Sequence, residues 1–303
     1  MAAEPPILVT GAAGNVGAVG RTLTEMLLSR GKKVRAMVRR EDDRSAALAQ
    51  LGAEVVTGDL LDLGDVHRVM EGCRRIYFSM SVSAPYLEAT VNTAAVAKHQ
   101  GVEAFVNISQ MTVSQMSVTE TTTSPQQKQH WLAEQALNWS GLPVIHVRPT
   151  VFMDGFFLLF CAKGVREQGK LALPMGNGKT SPIAAYDVAR VMTEILIDPQ
   201  PHIGAVYELT GPQSQDMDGI ARDFSEALGR KIVYENVPWE PWRQALIDGG
   251  LPIHVVEHLA TMAKLNQQNR YDRMTDDVKK LTGQAPMSIR DFVAKNAAAF
   301  SKA

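Results

Sequence analysis

From Ile7 to about residue 150 the chain alternates short β-branched runs with longer stretches in which apolar residues recur at helical spacing. The runs are ILVT (7–10), KVRAMV (33–38), AEVVTG (53–58), RIYFSM (75–80), AFVNIS (104–109) and PVIHVR (143–148). Strands that alternate with helices need crossover connections, which cover both faces of a parallel sheet. The pattern predicts an α/β fold built on a Rossmann-type, doubly wound parallel sheet. After Arg148 the rhythm changes. Residues 151–182 mix aromatics with Gly and Pro; SPIAAYDVARVMTEIL then reads as an extended entry and a helix, with its N-cap at or just before Asp187. AVYELTG (205–211) reads as one more strand, and the remainder as mainly helical, with turns around Pro238, Gly249 and Gly283. Residues 1–150 are therefore expected to form one domain to which 183–211 return, with 151–182 and 212–303 as a smaller, mainly helical lobe.

Within ILVTGAAGNVGAVGRTL (7–23), Gly11, Gly14, Gly17 and Gly20 follow one another in steps of three. A glycine turn straight after a first strand lets backbone N–H groups approach a pyrophosphate, and the next helix points its positive end at the same charge. This makes the first domain a candidate dinucleotide-binding unit. Three glycines suffice for such a turn. Seen from the strand they are Gly11, Gly14 and Gly17, with Asn15 and Val16 between them. Seen from the helix, Val16, Val19, Leu23, Met26 and Leu27 share one stripe, and Gly20 lies closer to it than Gly17. Gly20 is then the point where the helix backbone nears the sheet. Either the helix starts near Asn15 and Gly11, Gly14 and Gly17 serve the phosphates, or the loop is wider and Gly14, Gly17 and Gly20 do. The unbroken stripe favours the longer helix.

RREDDR follows the second strand. An acidic residue there suits the ribose 2′-OH of NAD, whereas arginine suits a 2′-phosphate. Arg39 and Arg40 come first, so NADP(H) is favoured over NAD(H), although Glu41, Asp42 and Asp43 also fit a solvated charge cluster. Asp59, after the third strand, suits either contacts to the adenine or a helix N-cap. Leu60, Ser79, Met80 and Pro149 complete the candidate cofactor set.

Composition narrows the partners. The 303 residues are 45% apolar and 21% charged, with a formal net charge of −1, which gives no electrostatic footprint for nucleic acid or an anionic membrane. A small molecule is the expected partner, and a homo-oligomer is left open. Cys73 and Cys161 are the only cysteines, outside any metal-ligand spacing, and no metal site is expected; His254 and His258 lack a third ligand. MAAEPP has no basic-then-apolar signal pattern, and no run reaches the roughly 18 apolar residues of a membrane span. A cytoplasmic location is the expectation.

VTGAAGNVG, AMVRR, GDLLD, AEQALNWSGLPVIHVRPTVFMDGFF and SPIAAYDVA together resemble the NmrA-like branch of the atypical short-chain dehydrogenase/reductases. The resemblance covers essentially the whole chain. It implies a Rossmann domain, a small substrate lobe and a dinucleotide in the cleft between them. Members include NADPH-dependent quinone, azo-dye and triphenylmethane reductases, and redox-sensing regulators without known turnover. Against the family pattern, three residues are extra between Gly11 and Gly20, about 4.5 Å of helical rise.

Short-chain dehydrogenases typically carry a Tyr-x-x-x-Lys dyad, whose tyrosine gives a proton to the substrate oxygen. The resemblance sets Gln126 at the tyrosine position and His130 at the lysine position, so the phenol is missing. His130 to Glu134 is similar to the H-x-x-x-E of bacterial quinone-reductase members. His130 is a candidate for the nicotinamide ribose or for carrying a proton near neutral pH; a capping or surface histidine is the plainer reading. Ser109 ends the fifth strand and could face the cofactor or bond its own backbone. Met111 and Met116, on the loop after that strand, and Phe152 and Phe156, after the sixth, are candidates for the substrate cleft, as against simple packing. Trp239 and Trp242 read first as lobe packing and second as a lid. Hydride transfer to a quinone-like or conjugated electrophile does not strictly need an enzyme phenol. The expected function is such a reductase; the alternative is a non-catalytic NAD(P)-binding redox sensor.

Overall fold

The computed structural model describes residues 4–14 and 19–302. Its strands are β1 (Ile7–Val9), β2 (Val34–Val38), β3 (Glu54–Thr57), β4 (Arg75–Phe78), β5 (Ala104–Ile108), β6 (Val144–Pro149), β7 (Lys170–Leu173), β8 (Val206–Leu209) and β9 (Val233–Asn236). One parallel sheet runs β3-β2-β1-β4-β5-β6-β8. All seven of its strands fall within the runs predicted from the sequence, or within a residue of them. The order reverses between β1 and β4, and that switch point leaves a crevice beyond their carboxyl ends.

The helices are α1 (Val19–Ser29), α2 (Asp43–Gln50), α3 (Leu63–Met70), α4 (Tyr86–Gln100), α5 (Pro125–Trp139), α6 (Ala162–Gln168), α7 (Ala185–Ile197), α8 (Met217–Leu228), α9 (Trp239–Asp248), α10 (Ile253–Gln267), α11 (Asp277–Thr282), α12 (Ile289–Lys295) and α13 (Ala297–Phe300). Alternation along each strand sorts side chains onto two faces. Ile7, Val9, Tyr77 and Val106 pack with Leu23 and Leu27 of α1 and Val188, Met192 and Ile195 of α7. Leu8, Ile76, Phe78 and Phe105 pack instead with α3, α4 and α5 through Val66, Val69, Tyr86, Ala133 and Leu137. A fully buried Leu or Phe contributes about 1.5–3 kcal/mol, so these two layers make the sheet a rigid platform.

A second core gathers Met153, Phe157, Phe224, Phe292 and Phe300. Phe157 meets Phe224 edge-on at 5.0 Å, and Phe224 meets Phe300 at 5.2 Å. The chain enters it through a π-helical segment, Asp154–Cys161. β7 and β9 pair in parallel beside it, and β9 lies in a stretch expected to be helical. Four alternating residues, VYEN, are too few to announce a strand before their partner is known. Val278 and Leu281 of α11 join the first core, so part of the C-terminal segment packs back onto the sheet.

The predicted cap of α7 is corrected. Ala184 stands at the N-cap without a side-chain bond, and the Asp154 carboxylate accepts the Ala185 N–H at 2.8 Å instead. Asp187 is one turn in and buried, where it accepts from Arg190 and from the Met287 N–H at 2.7 Å. Among the described residues no helix is long and apolar enough to cross a membrane.

Candidate functional site

Gly11 leaves β1 at φ +65°, where a side chain is strained, and a Cβ there would sit 3.1 Å from the Ser79 carbonyl. The Gly14 N–H donates to the Gly11 carbonyl at 3.0 Å and closes the turn. At Gly20 a Cβ would stand 2.7 Å from the Gly11 oxygen and 3.0 Å from the Ala12 Cα. Gly20 is therefore where α1 meets the turn itself, not the sheet proper. The Thr10 hydroxyl staples the switch point, donating to the Ser79 carbonyl at 2.9 Å and accepting the Ser79 N–H at 2.8 Å. Thr10 escaped the sequence reading, although a hydroxyl closing β1 is a signal that could have been followed. Asn15, Val16 and Gly17, on which the choice between glycine sets depends, lie outside the described residues.

In RREDDR the acidic residues are partly committed elsewhere. Asp42 caps α2 in a capping box with Ser45, and its bonds to Arg44 hold its carboxyl down at about 2. Arg39 reaches the Asp59 carboxylate at 3.3 Å with 80% of its side chain exposed, and Arg40 is exposed with no side-chain partner among the described residues. Asp59 is not a helix cap: its other oxygen accepts the Leu61 N–H at 3.0 Å, and Asp62 caps α3. Leu60 and Met80 are partly buried against the core beneath.

Beyond β5 the character changes from exposed charge to buried polarity. Ser109 is buried and its hydroxyl has no partner, so the backbone bond considered for it does not form. The first turn of α5, capped by Ser124, buries Gln126 and Gln127. Gln126 accepts the Ser83 N–H at 3.1 Å while its amide nitrogen stays unpaired. His130 lies 4.1 Å from the Tyr86 ring, centroid to centroid, with an unpaired, enclosed Nδ1. Burial, and then the nearby His258, push its pKa down to about 3. The idea that His130 carries a proton near neutral pH is thereby corrected; it is a neutral hydrogen-bonding group. His258 bonds Ser124 at 3.0 Å and is itself pushed by burial to about 4. Buried polar atoms are ordinarily satisfied by protein, water or ligand, so Ser109 Oγ, Gln126 Nε2 and His130 Nδ1 are groups with bonding capacity left to use.

Glu134 does not answer His130. It is buried and engaged by the Arg148 guanidinium, at 2.9 Å from Nε. Arg148 continues to Glu208 at 3.8 Å, and Glu208 to Arg273. Arg273 also donates to Ser114, and Arg270 exchanges bonds with Gln115, one of them at 2.9 Å from Gln115 Nε2. The segment after α10 is thus strapped onto the 3₁₀ turn Met111–Gln115 that follows β5. Met111 in that turn and Met116 just after it are buried. A small apolar cavity of about 30 Å³ lies nearby, lined by Phe156, Met175, Thr180, Trp242, Met262 and Tyr271 among others. Trp239 fastens α9 to α10 by donating to the Ala260 carbonyl at 3.2 Å, so one tryptophan packs and the other lines the cavity. Pro149 ends β6, and Phe152 bridges to Ile183. Among the described residues no three His, Cys, Asp or Glu side chains gather as metal ligands do.

A doubly wound sheet with a glycine turn at its switch point defines the Rossmann class of α/β proteins with a dinucleotide-type turn. The chain belongs to the NmrA-like family, whose profile matches residues 4–293. It is 29% identical over 300 residues to the NAD(P)H azoreductase of Xenophilus azovorans, covering 98% of this chain and 100% of that one. In fold it is similar to the NADPH-dependent quinone oxidoreductase of Escherichia coli complexed with NADPH (TM-score 0.82, 22% identity, 96% and 99% of the chains). It is also similar to the triphenylmethane reductase of Citrobacter complexed with NADP(H) (TM-score 0.80, 21% identity, 96% and 99%).

Proposed function

We propose that the protein is an NADP(H)-dependent reductase of a small quinone-like or conjugated electrophile. The observation that carries this reading is the pair of enclosed, unpaired groups, Ser109 Oγ just after β5 and His130 Nδ1 on α5. Family membership and the azoreductase named above support it. The residues fit a dinucleotide: Gly11 turns straight after β1 at φ +65°, where a side chain is strained, so the turn keeps its backbone N–H groups bare of a side chain at that point.

Gly11 and Gly14, with Asn15, Val16 and Gly17, would hold the pyrophosphate, Arg39 and Arg40 the 2′-phosphate, and Asp59 with Leu60 the adenine side. Ser79, Met80, Ser109, His130 and Pro149 would surround the nicotinamide ribose. When bound, NADPH supplies the hydride. The chain's own part is to orient the acceptor and exclude water; neutral His130 serves as a donor or acceptor that does not change charge. Residues 151–182 and 212–303 form the substrate lobe in this reading. The cavity has room for about one water, so a ring-sized substrate requires α9 and α10 to withdraw.

The test mixes purified protein with NADPH and a panel of quinones, azo dyes and enals, following nicotinamide absorbance. Consumption well above a protein-free control is expected. NADPH binding without any faster consumption would overturn the reductase reading and leave the sensor.

A further inference from the structure

The apolar cavity beside Trp242 has one unpaired polar group in its wall and, among the described residues, no charged one. We infer that it takes an uncharged carbonyl compound, whose oxygen accepts a hydrogen bond from Thr180, and that it rejects anions. The inference rests on the reductase reading above and narrows the class of acceptor.

The cavity lies past the carboxyl end of the sheet. Val151, two residues beyond β6, forms part of its wall, and so does Thr180, which is bridged to Gln215 in the segment after β8. The N–H and the carbonyl of Thr180 are both spent on Gln215, at 3.0 Å each way. Thr180 is 2% exposed, and its hydroxyl has no partner. Among the described residues that line the cavity, it alone keeps a buried side-chain polar atom unpaired. Asn266, by contrast, spends its amide on backbone carbonyls of the loop 175–179.

An unpaired buried hydroxyl costs stability that a valine of the same shape does not. A ligand oxygen that accepts from Thr180 recovers this cost, so a carbonyl compound binds better here than a hydrocarbon of the same outline. Charge acts the other way. An anion entering among Phe156, Phe160, Trp242 and Met262 would give up its water and meet no cation. Thr180 is thus a positioning and selecting residue; it donates a hydrogen bond and keeps its proton.

Three ligands of similar outline separate these contributions: 2-tert-butyl-1,4-naphthoquinone, 1,4-naphthoquinone-2-sulfonate and 2-tert-butylnaphthalene. The first two differ in charge, and the first and third in oxygen. NADPH turnover is measured with both quinones, and equilibrium dialysis with NADP present follows all three. A sulfonate withdraws electrons and makes its ring more reactive toward hydride, so a slower reaction with it reports exclusion from the cavity. Its kcat/KM is expected about 100-fold or more below that of the tert-butyl quinone; a difference under about threefold would overturn the charge selection.

In Thr180→Val, quinone affinity is expected to fall about three- to tenfold, as for one neutral hydrogen bond, while the hydrocarbon binds as it does to wild type. Thr180→Ser keeps the hydroxyl and should stay within about twofold of wild type. The ligand-free Thr180→Val protein should unfold at or above the wild-type urea midpoint, because a methyl replaces an unpaired hydroxyl. A lowered midpoint would mean that the hydroxyl is already paired, and it overturns the anchor. So does unchanged quinone affinity, or an equal loss for quinone and hydrocarbon. If wild type oxidises NADPH with neither quinone, the reductase reading fails and dialysis decides the cavity by itself. Tighter binding of the tert-butyl quinone than of the sulfonate, weakened in Thr180→Val, supports the carbonyl site; absence of binding refutes it.

Discussion

The two ends of the sheet's carboxyl edge are built on opposite principles. At the carboxyl ends of β1 and β2 the available groups are backbone N–H groups and exposed cations: Gly11 is exposed and Arg39 is 80% exposed. At the carboxyl ends of β5 and β6 they are side chains taken out of water: Ser109, Gln126, Gln127 and Glu134 are all buried. The first arrangement suits a highly charged group that stays wet and adds little to stability. The second suits uncharged chemistry that needs water excluded, and it holds only if every buried charge is paired. The contrast teaches that stability and cofactor choice should respond to different residues, and it can be broken by measuring both on the same variants.

The largest effect is expected at Arg148. Glu134 is 1% exposed, and Arg148→Ala would strand its carboxylate without a counterion. Removing one partner of a buried pair costs about 3–5 kcal/mol. Urea denaturation should show the loss in the midpoint; a shift equivalent to less than 1 kcal/mol would mean that water reaches Glu134 and that the β5–β6 end is wet after all. At the other end, Gly20→Ala should destabilise by about 1–3 kcal/mol, because its Cβ would drive into the Gly11 carbonyl. NADPH affinity should fall with it, since the turn must shift to make room. An unchanged midpoint together with unchanged affinity would show that α1 does not depend on this contact.

Acid sharpens the comparison further. His130 and His258 have folded pKa values pushed down to about 3 and about 4, so each binds its proton more readily when the chain is unfolded. Their stabilising contribution is complete above the unfolded value near 6.5 and is lost as pH falls below it, levelling off only near the folded values. Between pH 7 and pH 5 each should withdraw about 2 kcal/mol. In His130→Gln the fall over that interval should shrink by about that amount. A fall identical to wild type would place His130 in water rather than against Tyr86.

How much of this could be read from the chain depends on how far apart the partners lie. The main sheet was legible because each strand is a local apolar run set off by helical stretches, the central β1 and β5 being buried throughout. The stripe of α1 marked Gly20 as a point of close approach but aimed it at the sheet, whereas it meets the Gly11 turn. β9 was not legible, since four residues take their structure from β7. The cap of α7 was misplaced because Asp154 reaches it from an earlier segment. The neutral state of His130 depends on burial by Tyr86 and on His258, neither of which its neighbours in sequence reveal. The strap after α10 was invisible for the same reason: Gln115 and Arg270 are 155 positions apart.

The smallest effect on stability is expected where the effect on the cofactor is most selective. Arg39 meets Asp59 at 3.3 Å on an exposed surface, and such pairs contribute little that denaturation can detect. The double variant Arg39→Asp with Arg40→Ala should therefore unfold at the wild-type midpoint. A charge-assisted bond to a phosphate contributes about 1.5–3 kcal/mol, so NADPH affinity should fall about tenfold to a hundredfold, while NADH affinity stays within about twofold. Calorimetric titration of both cofactors checks this. Equal losses for the two would remove the 2′-phosphate from Arg39 and Arg40. A lowered unfolding midpoint would instead show that this end of the sheet's carboxyl edge, like the other, is held together by its charges.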